Sequence, residues 1–72
     1  MNFDLIFLDP PYKDKNLDKL LLKIIDGKIL NKNGIIVLHR HKKEADIIPL
    51  SLKILEEKKY GISKITFLSI LN

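Results

Sequence analysis

Apolar residues are spaced along this chain in ways that separate strands from a helix. Residues 5–8 and 35–38 are unbroken apolar blocks of four, each ended by polar or turn-forming residues, as in parallel strands buried on both faces. Between them Leu17, Leu20, Leu21, Ile24 and Ile25 recur at helical spacing and form one stripe, which predicts a helix over 17–26. Asn16 is placed as its N-cap, Asp18 favours the first turn, and Gly27 is expected in the left-handed conformation that stops it. The run Asn31-Lys32-Asn33-Gly34 predicts a turn into the second strand. Residues 44–51, around Pro49, read as a loop or short helical turn. Residues 52–59 alternate roughly, which suits a half-exposed strand; Tyr60-Gly61 turns the chain back, and residues 65–71 supply the last strand.

Strand, helix and strand in that order make a crossover unit, with the two strands parallel and the helix laid on the sheet. The fold class is therefore α/β, and residues 1–72 form one unit, since no repeat, low-complexity tract or linker divides them. Seventy-two residues are near the lower limit for a self-sufficient core, and no cysteine is present to reinforce it by disulfide or thiolate–metal bonding. No metal centre is expected: His39 and His41 lack a third ligand in the pattern. The apolar runs are too short to span a bilayer, so a cytoplasmic protein without a membrane partner is expected. The formal net charge of +4 suits a nucleic-acid partner, yet twelve of the thirteen basic residues are lysine. Lysine, isoleucine and asparagine all have A/T-rich codons, so base composition competes with RNA binding as the source of that charge.

The chemistry is concentrated in Asp9-Pro10-Pro11-Tyr12, directly after the first apolar block. Proline fixes its own φ and holds the preceding residue extended, so this loop is a rigid rim of acceptors. An aromatic exocyclic amine is a poor nucleophile because its lone pair is delocalised into the ring. Hydrogen bonds from that amine to the Asp9 carboxylate and the Pro10 carbonyl would turn the lone pair toward a methyl donor and stabilise the developing positive charge. Pro11 is the stiff spacer. Tyr12 offers a stacking face to a base taken out of its helix, and such stacking recovers about 1–3 kcal/mol. The polar run after the second strand, His39-Arg40-His41-Lys42-Lys43, lies where open parallel sheets bind ligands, beyond the carboxyl ends of their strands. Lys13, Arg40, Lys42 and Lys43 are the candidate phosphate contacts.

Asp9-Pro10-Pro11-Tyr12 resembles the Asp/Asn-Pro-Pro-aromatic signature of S-adenosylmethionine-dependent amino methyltransferases, and a chance occurrence is expected only on the order of once in 10⁵ positions. Together with Asn33-Gly34-Ile35-Ile36-Val37-Leu38 and Lys59-Tyr60-Gly61 followed by Ser63-Lys64, it is similar to the bacterial small-subunit ribosomal RNA (guanine-N2)-methyltransferase family. The resemblance covers nearly the whole chain and matches the last part of that family's domain. It implies a partial Rossmann-like class I methyltransferase sheet: two parallel strands with a crossover helix, then an antiparallel C-terminal pair whose final strand inserts between its predecessor and the parallel strands. It also implies S-adenosylmethionine as methyl donor, ribosomal RNA or the pre-ribosomal small subunit as partner, and guanine N2 as target. His39 departs from the acidic residue that many members carry after the second strand.

The family's Gly-rich turn and its acidic residue for the ribose are not found, because Gly27, Gly34 and Gly61 lie singly and far apart. The chain accordingly reads as the catalytic side of a larger domain without its N-terminal cofactor-binding half, with the cofactor-binding residues unidentified. Self-association or a complementary chain carrying that half is expected, because the first strand would otherwise keep an unpaired edge. Two alternatives stay open. One is a fragment of a DNA adenine-N6 methyltransferase, which shares the Asp-Pro-Pro-Tyr rim; the other is a non-catalytic remnant that binds RNA.

Overall fold

The computed structural model describes residues 2–10 and 16–71. The elements are β1 (Phe3–Leu8), α1 (Leu17–Asp26), β2 (Leu30–His41), β3 (Leu52–Tyr60) and β4 (Ser63–Ile70). The strands form one sheet in the order β1-β2-β4-β3, with β1 and β2 parallel and the other pairings antiparallel. The last strand lies between β2 and β3, the insertion that the family resemblance implied. Residues 44–49 carry no regular structure, in keeping with the expected loop around Pro49.

Helix α1 has the bounds predicted from its apolar spacing. Its Leu17, Leu21 and Ile24 pack with Leu30, Ile36, Leu38, Leu52 and Leu68 in a single core. Leu20, assigned to the same stripe, is 37% exposed and sits at the rim. The period-two alternation of β2 turns Ile36, Leu38 and Arg40 to the core side and leaves Val37 and His39 on the other side. Burial of β1 on both faces was expected, and the structure corrects this. Ile6 and Leu8 pack on the core, but Leu5 and Phe7 are each 62% exposed on the face opposite the helix. One helix covers one side of a sheet, so among the described residues the other side remains open.

Asn16 stands at the N-cap as expected, whereas Gly27 does not make the expected reversal. Asn16 makes no side-chain capping bond and accepts from the Leu20 N–H through its backbone carbonyl at 3.1 Å. Gly27 has φ −77°, a right-handed value, and Lys28 takes the left-handed conformation with φ 52°. The Gly27 N–H still bonds the Lys23 carbonyl in helical fashion, so the reversal falls one residue later. Lys28 N–H then bonds the Ile25 carbonyl at 3.1 Å and Ile29 N–H the Ile24 carbonyl at 3.2 Å, the two bonds of a Schellman motif.

The turn expected over 31–34 is part of β2. Phe3 faces Leu30 and Leu5 faces Ile35, so two steps along β1 answer five along β2 and the surplus residues bulge outward. The Asn31 side-chain amide donates to the Asp4 carboxylate and ties the bulge to β1. Gly34 ends it under the Leu30 side chain. A Cβ there would lie 2.5 Å from Leu30 Cδ1, 2.9 Å from Leu30 Cγ and 3.0 Å from the Asn31 carbonyl oxygen. Gly34→Ala is therefore expected to cost about 1–3 kcal/mol by overpacking, read as a lowered urea midpoint; an unchanged midpoint would show that Leu30 yields freely.

Strand β3 is more exposed than a half-buried strand: after Leu52 every residue to Tyr60 is exposed. Leu55 is an extra residue between the Ile54–Leu68 and Glu56–Phe67 pairs. The hairpin to β4 closes through Gly61-Ile62, and Gly61 has φ +55°, a value that glycine adopts without Cβ strain.

Candidate functional site

Strand β1 ends opposite Leu38, and β2 runs on to His41. Leu8 faces Leu38 in the parallel register, and one step further Asp9 comes beside His39. Alternation puts both on the open face of the sheet, away from α1. His39 Nδ1 lies 3.0 Å from Asp9 Oδ1, and His39 Nε2 lies 3.0 Å from Ser63 Oγ, the first residue of β4. Ser63 reaches His39 diagonally, since its own partner on β2 is His41. Three strands thus each place one side chain in a continuous chain of contacts.

The Asp9 side chain is 61% exposed and that of His39 34%, so the carboxylate is held yet open to a ligand. Asp9, Pro10, His39, His41, Ile62 and Ser63 line a cavity of about 210 Å³, with Arg40 at its edge. The hairpin tip is fixed over this cavity by the Lys42 N–H, which donates to the Ile62 carbonyl at 2.8 Å. Lys42 and Lys43, which follow His41 in the chain, are exposed. The Lys43 N–H donates to His41 Nδ1 at 3.1 Å, and the Glu44 N–H to the His41 carbonyl at 2.9 Å, so the lysines sit on a tight turn.

Arg40 has a different placement from its neighbours. It points to the core side, only 4% exposed, and grips Asp46 through Nε and Nη2, both at 3.0 Å. Glu44 Oε2 stands 3.7 Å from the same Nη2. The guanidinium therefore pins the loop after β2, beside a second cavity of about 250 Å³ that reaches the first turn of α1. Period-two alternation from Ile36 and Leu38 to Arg40 was the signal for this burial. Of the other candidates, Pro11, Tyr12 and Lys13 lie outside the described residues. Among the described residues no cluster of three potential metal ligands occurs, and no helix is long and apolar enough to cross a membrane.

The residues described do not build a cradle for S-adenosylmethionine. Gly27 closes a helix, Gly34 is covered by Leu30 and Gly61 turns a hairpin, so none of them combines with another into a backbone anion or nucleoside site. On this face Asp9 and Pro10 line the cavity of about 210 Å³.

Comparison with known proteins bears on the family of the chain. The family described as conserved hypothetical protein 95 matches residues 1–69. An uncharacterised methylase of Rickettsia prowazekii is 33% identical over 66 residues, which is 92% of this chain and 28% of the relative. The ribosomal RNA small subunit methyltransferase D of Buchnera aphidicola is 30% identical over 56 residues, 78% of this chain and 29% of the relative. A solved structure from Haemophilus influenzae, a candidate methylase, superposes with a TM-score of 0.82 at 27% identity, covering 97% of this chain and 44% of its own. The chain thus spans less than a third of the curated relatives it matches, and the likeness to small-subunit ribosomal RNA methyltransferases expected from its motifs is borne out. By the match over 69 of its residues, this chain belongs to the methyltransferase-like family described as conserved hypothetical protein 95.

Proposed function

We propose that this chain forms the target-base side of a methyltransferase that methylates an exocyclic amine of small-subunit ribosomal RNA, guanine N2 being the preferred target. The observation that carries this reading is the rim of Asp9 and Pro10 at the carboxyl ends of two parallel strands, opening on a cavity of about 210 Å³. S-adenosylmethionine, when bound, supplies an electrophilic methyl group. The chain's own part is to accept hydrogen bonds from the amine through the Asp9 carboxylate and the Pro10 carbonyl, which orients the nitrogen lone pair and stabilises its growing positive charge. Pro11 is the rigid spacer that follows this rim, and Tyr12 stacks on the base. Lys42 and Lys43, exposed just after His41, and Lys13 contact the RNA backbone. The name of the Buchnera relative favours RNA over DNA as the substrate.

The part that holds S-adenosylmethionine docks at the outer edge of β1. Support lies in β1, an edge strand of the sheet with Phe3, Leu5 and Phe7 exposed on its open face. The protein works in the cytoplasm.

The test is methyl transfer from labelled S-adenosylmethionine to naked small-subunit ribosomal RNA and to duplex DNA, with the chain alone and with a cofactor-binding segment of the family added. N2-methylguanosine in the digested RNA is the expected product. Label on adenine N6 of DNA would move the assignment to the DNA enzymes, and RNA binding without label in any mixture would make the chain a binding remnant.

A further inference from the structure

We propose that His39 is the positioning residue of the rim: anchored to Ser63 through one ring nitrogen, it holds Asp9 Oδ1 with the other and leaves Oδ2 aimed at the incoming amine. The need for such a device follows from the exposure of Asp9. A carboxylate 61% open to solvent at the end of a strand is free to rotate, whereas orienting an amine requires its acceptor to be held within about 0.5 Å. The neighbouring strand supplies the hold, with Nδ1 at 3.0 Å from Oδ1.

The protonation pattern is set by the partners. An ionised carboxylate only accepts, so Nδ1 must carry the hydrogen of that bond. In the neutral ring Nε2 is then an acceptor, and the Ser63 hydroxyl, 3.0 Å away, donates to it. Ser63 opens β4, which is paired to β2 through the His41–Ser63 register, so the anchor is part of the sheet and not of a loop. The hold engages Oδ1, and Oδ2 is the oxygen assigned to the substrate. The use of that oxygen rests on the methyltransferase reading above; the hold itself does not.

Two substitutions separate the ring's two contacts. The amide nitrogen of asparagine falls near Nδ1 and that of glutamine near Nε2, so His39→Asn keeps the donor to Asp9 while His39→Gln keeps the reach to Ser63 and loses Asp9. In the purified chain, long-range proton–nitrogen NMR of the unsubstituted neutral ring is expected to show the Nδ1–H tautomer. The Asp9 side-chain carboxyl carbon resonance should shift in His39→Gln and stay near its original place in His39→Asn, with the backbone amides of β2 and β4 unmoved in both. An Nε2–H tautomer, or an Asp9 resonance indifferent to both changes, overturns the proposal, and the tautomer is read without any variant having to fold. In a mixture that transfers methyl groups, His39→Gln should lower kcat about 10²-fold with KM little changed, and His39→Asn should restore most of it. Equal kcat for His39→Gln and the parent also overturns it. A ring that holds Asp9 in a protein that methylates nothing would instead overturn the function proposed above and leave the hold established.

Discussion

Replacing Asp9 by alanine is expected to reduce methyl transfer by about 10²–10³-fold, the range seen when one preorganised group facing a developing charge is removed. In the proposed mechanism Asp9 is one of two acceptors for the amine; the other, the Pro10 carbonyl, belongs to the backbone and survives the change. RNA affinity should be nearly unaffected, because it is carried by lysine contacts to phosphate and not by a carboxylate that phosphate repels. The loss therefore appears in the transfer step, measured by single-turnover labelling, with filter binding of the same RNA as the control. Asp9→Asn, whose oxygen stays beside the His39 Nδ1–H and whose amide NH2 then faces the amine as a second donor, should lose about as much as Asp9→Ala. Equal rates for Asp9→Ala and the parent would remove Asp9 from the chemistry, and a parallel collapse of RNA affinity would make it a binding group.

Arg40→Ala is expected to have the largest effect on the fold. Its guanidinium is 2% exposed and the Asp46 carboxylate 11%, and the two meet through a pair of 3.0 Å bonds. Removing one partner leaves a buried carboxylate without compensation, which costs about 3–5 kcal/mol. Domains of this length have about 4–11 kcal/mol in all, so the variant should be partly unfolded at 25 °C by circular dichroism. Arg40→Lys is no remedy, since an ammonium cannot reproduce the two-pronged contact. The double change Arg40→Met with Asp46→Leu should recover much of the loss, because it removes both buried charges together. A urea midpoint for Arg40→Ala equal to the parent's would show that the pair contributes nothing to stability.

These two residues differ in how far their roles could be read from the chain. The position of Asp9 just past the first strand was legible, because the apolar run before it and the proline after it act locally. Helix α1 was legible for a similar reason, its stripe of Leu17, Leu21 and Ile24 being a property of one segment. Arg40 was taken for a surface cation because it stands in a basic run. Its burial is a matter of which side of β2 it occupies and of Asp46, six residues away in an irregular loop. The contact of Asp9 with His39 joins residues thirty apart and depends on the β1–β2 register, which the bulge over 31–34 resets. The turn assigned there rested on residue types that serve a bulge as well as a turn. Lys28 in place of Gly27 at the helix end shows the same limit, because the backbone hydrogen bonds of α1 decided which residue reverses.

The placement of β4 between β2 and β3 has a consequence for how the chain is made. Of the four strands it is the last to leave the ribosome, yet both antiparallel pairings run through it. Until it emerges, β3 has no seat in the sheet, and β2 offers a bare flank of hydrogen-bonding groups while β1 and α1 are already in place. Closure of the sheet is then a late, long-range event of the kind that slows folding and exposes nascent chains to wrong pairings. Ser63, the anchor of the His39 ring, arrives with that same strand, so the rim at Asp9 is assembled only when the sheet itself is complete.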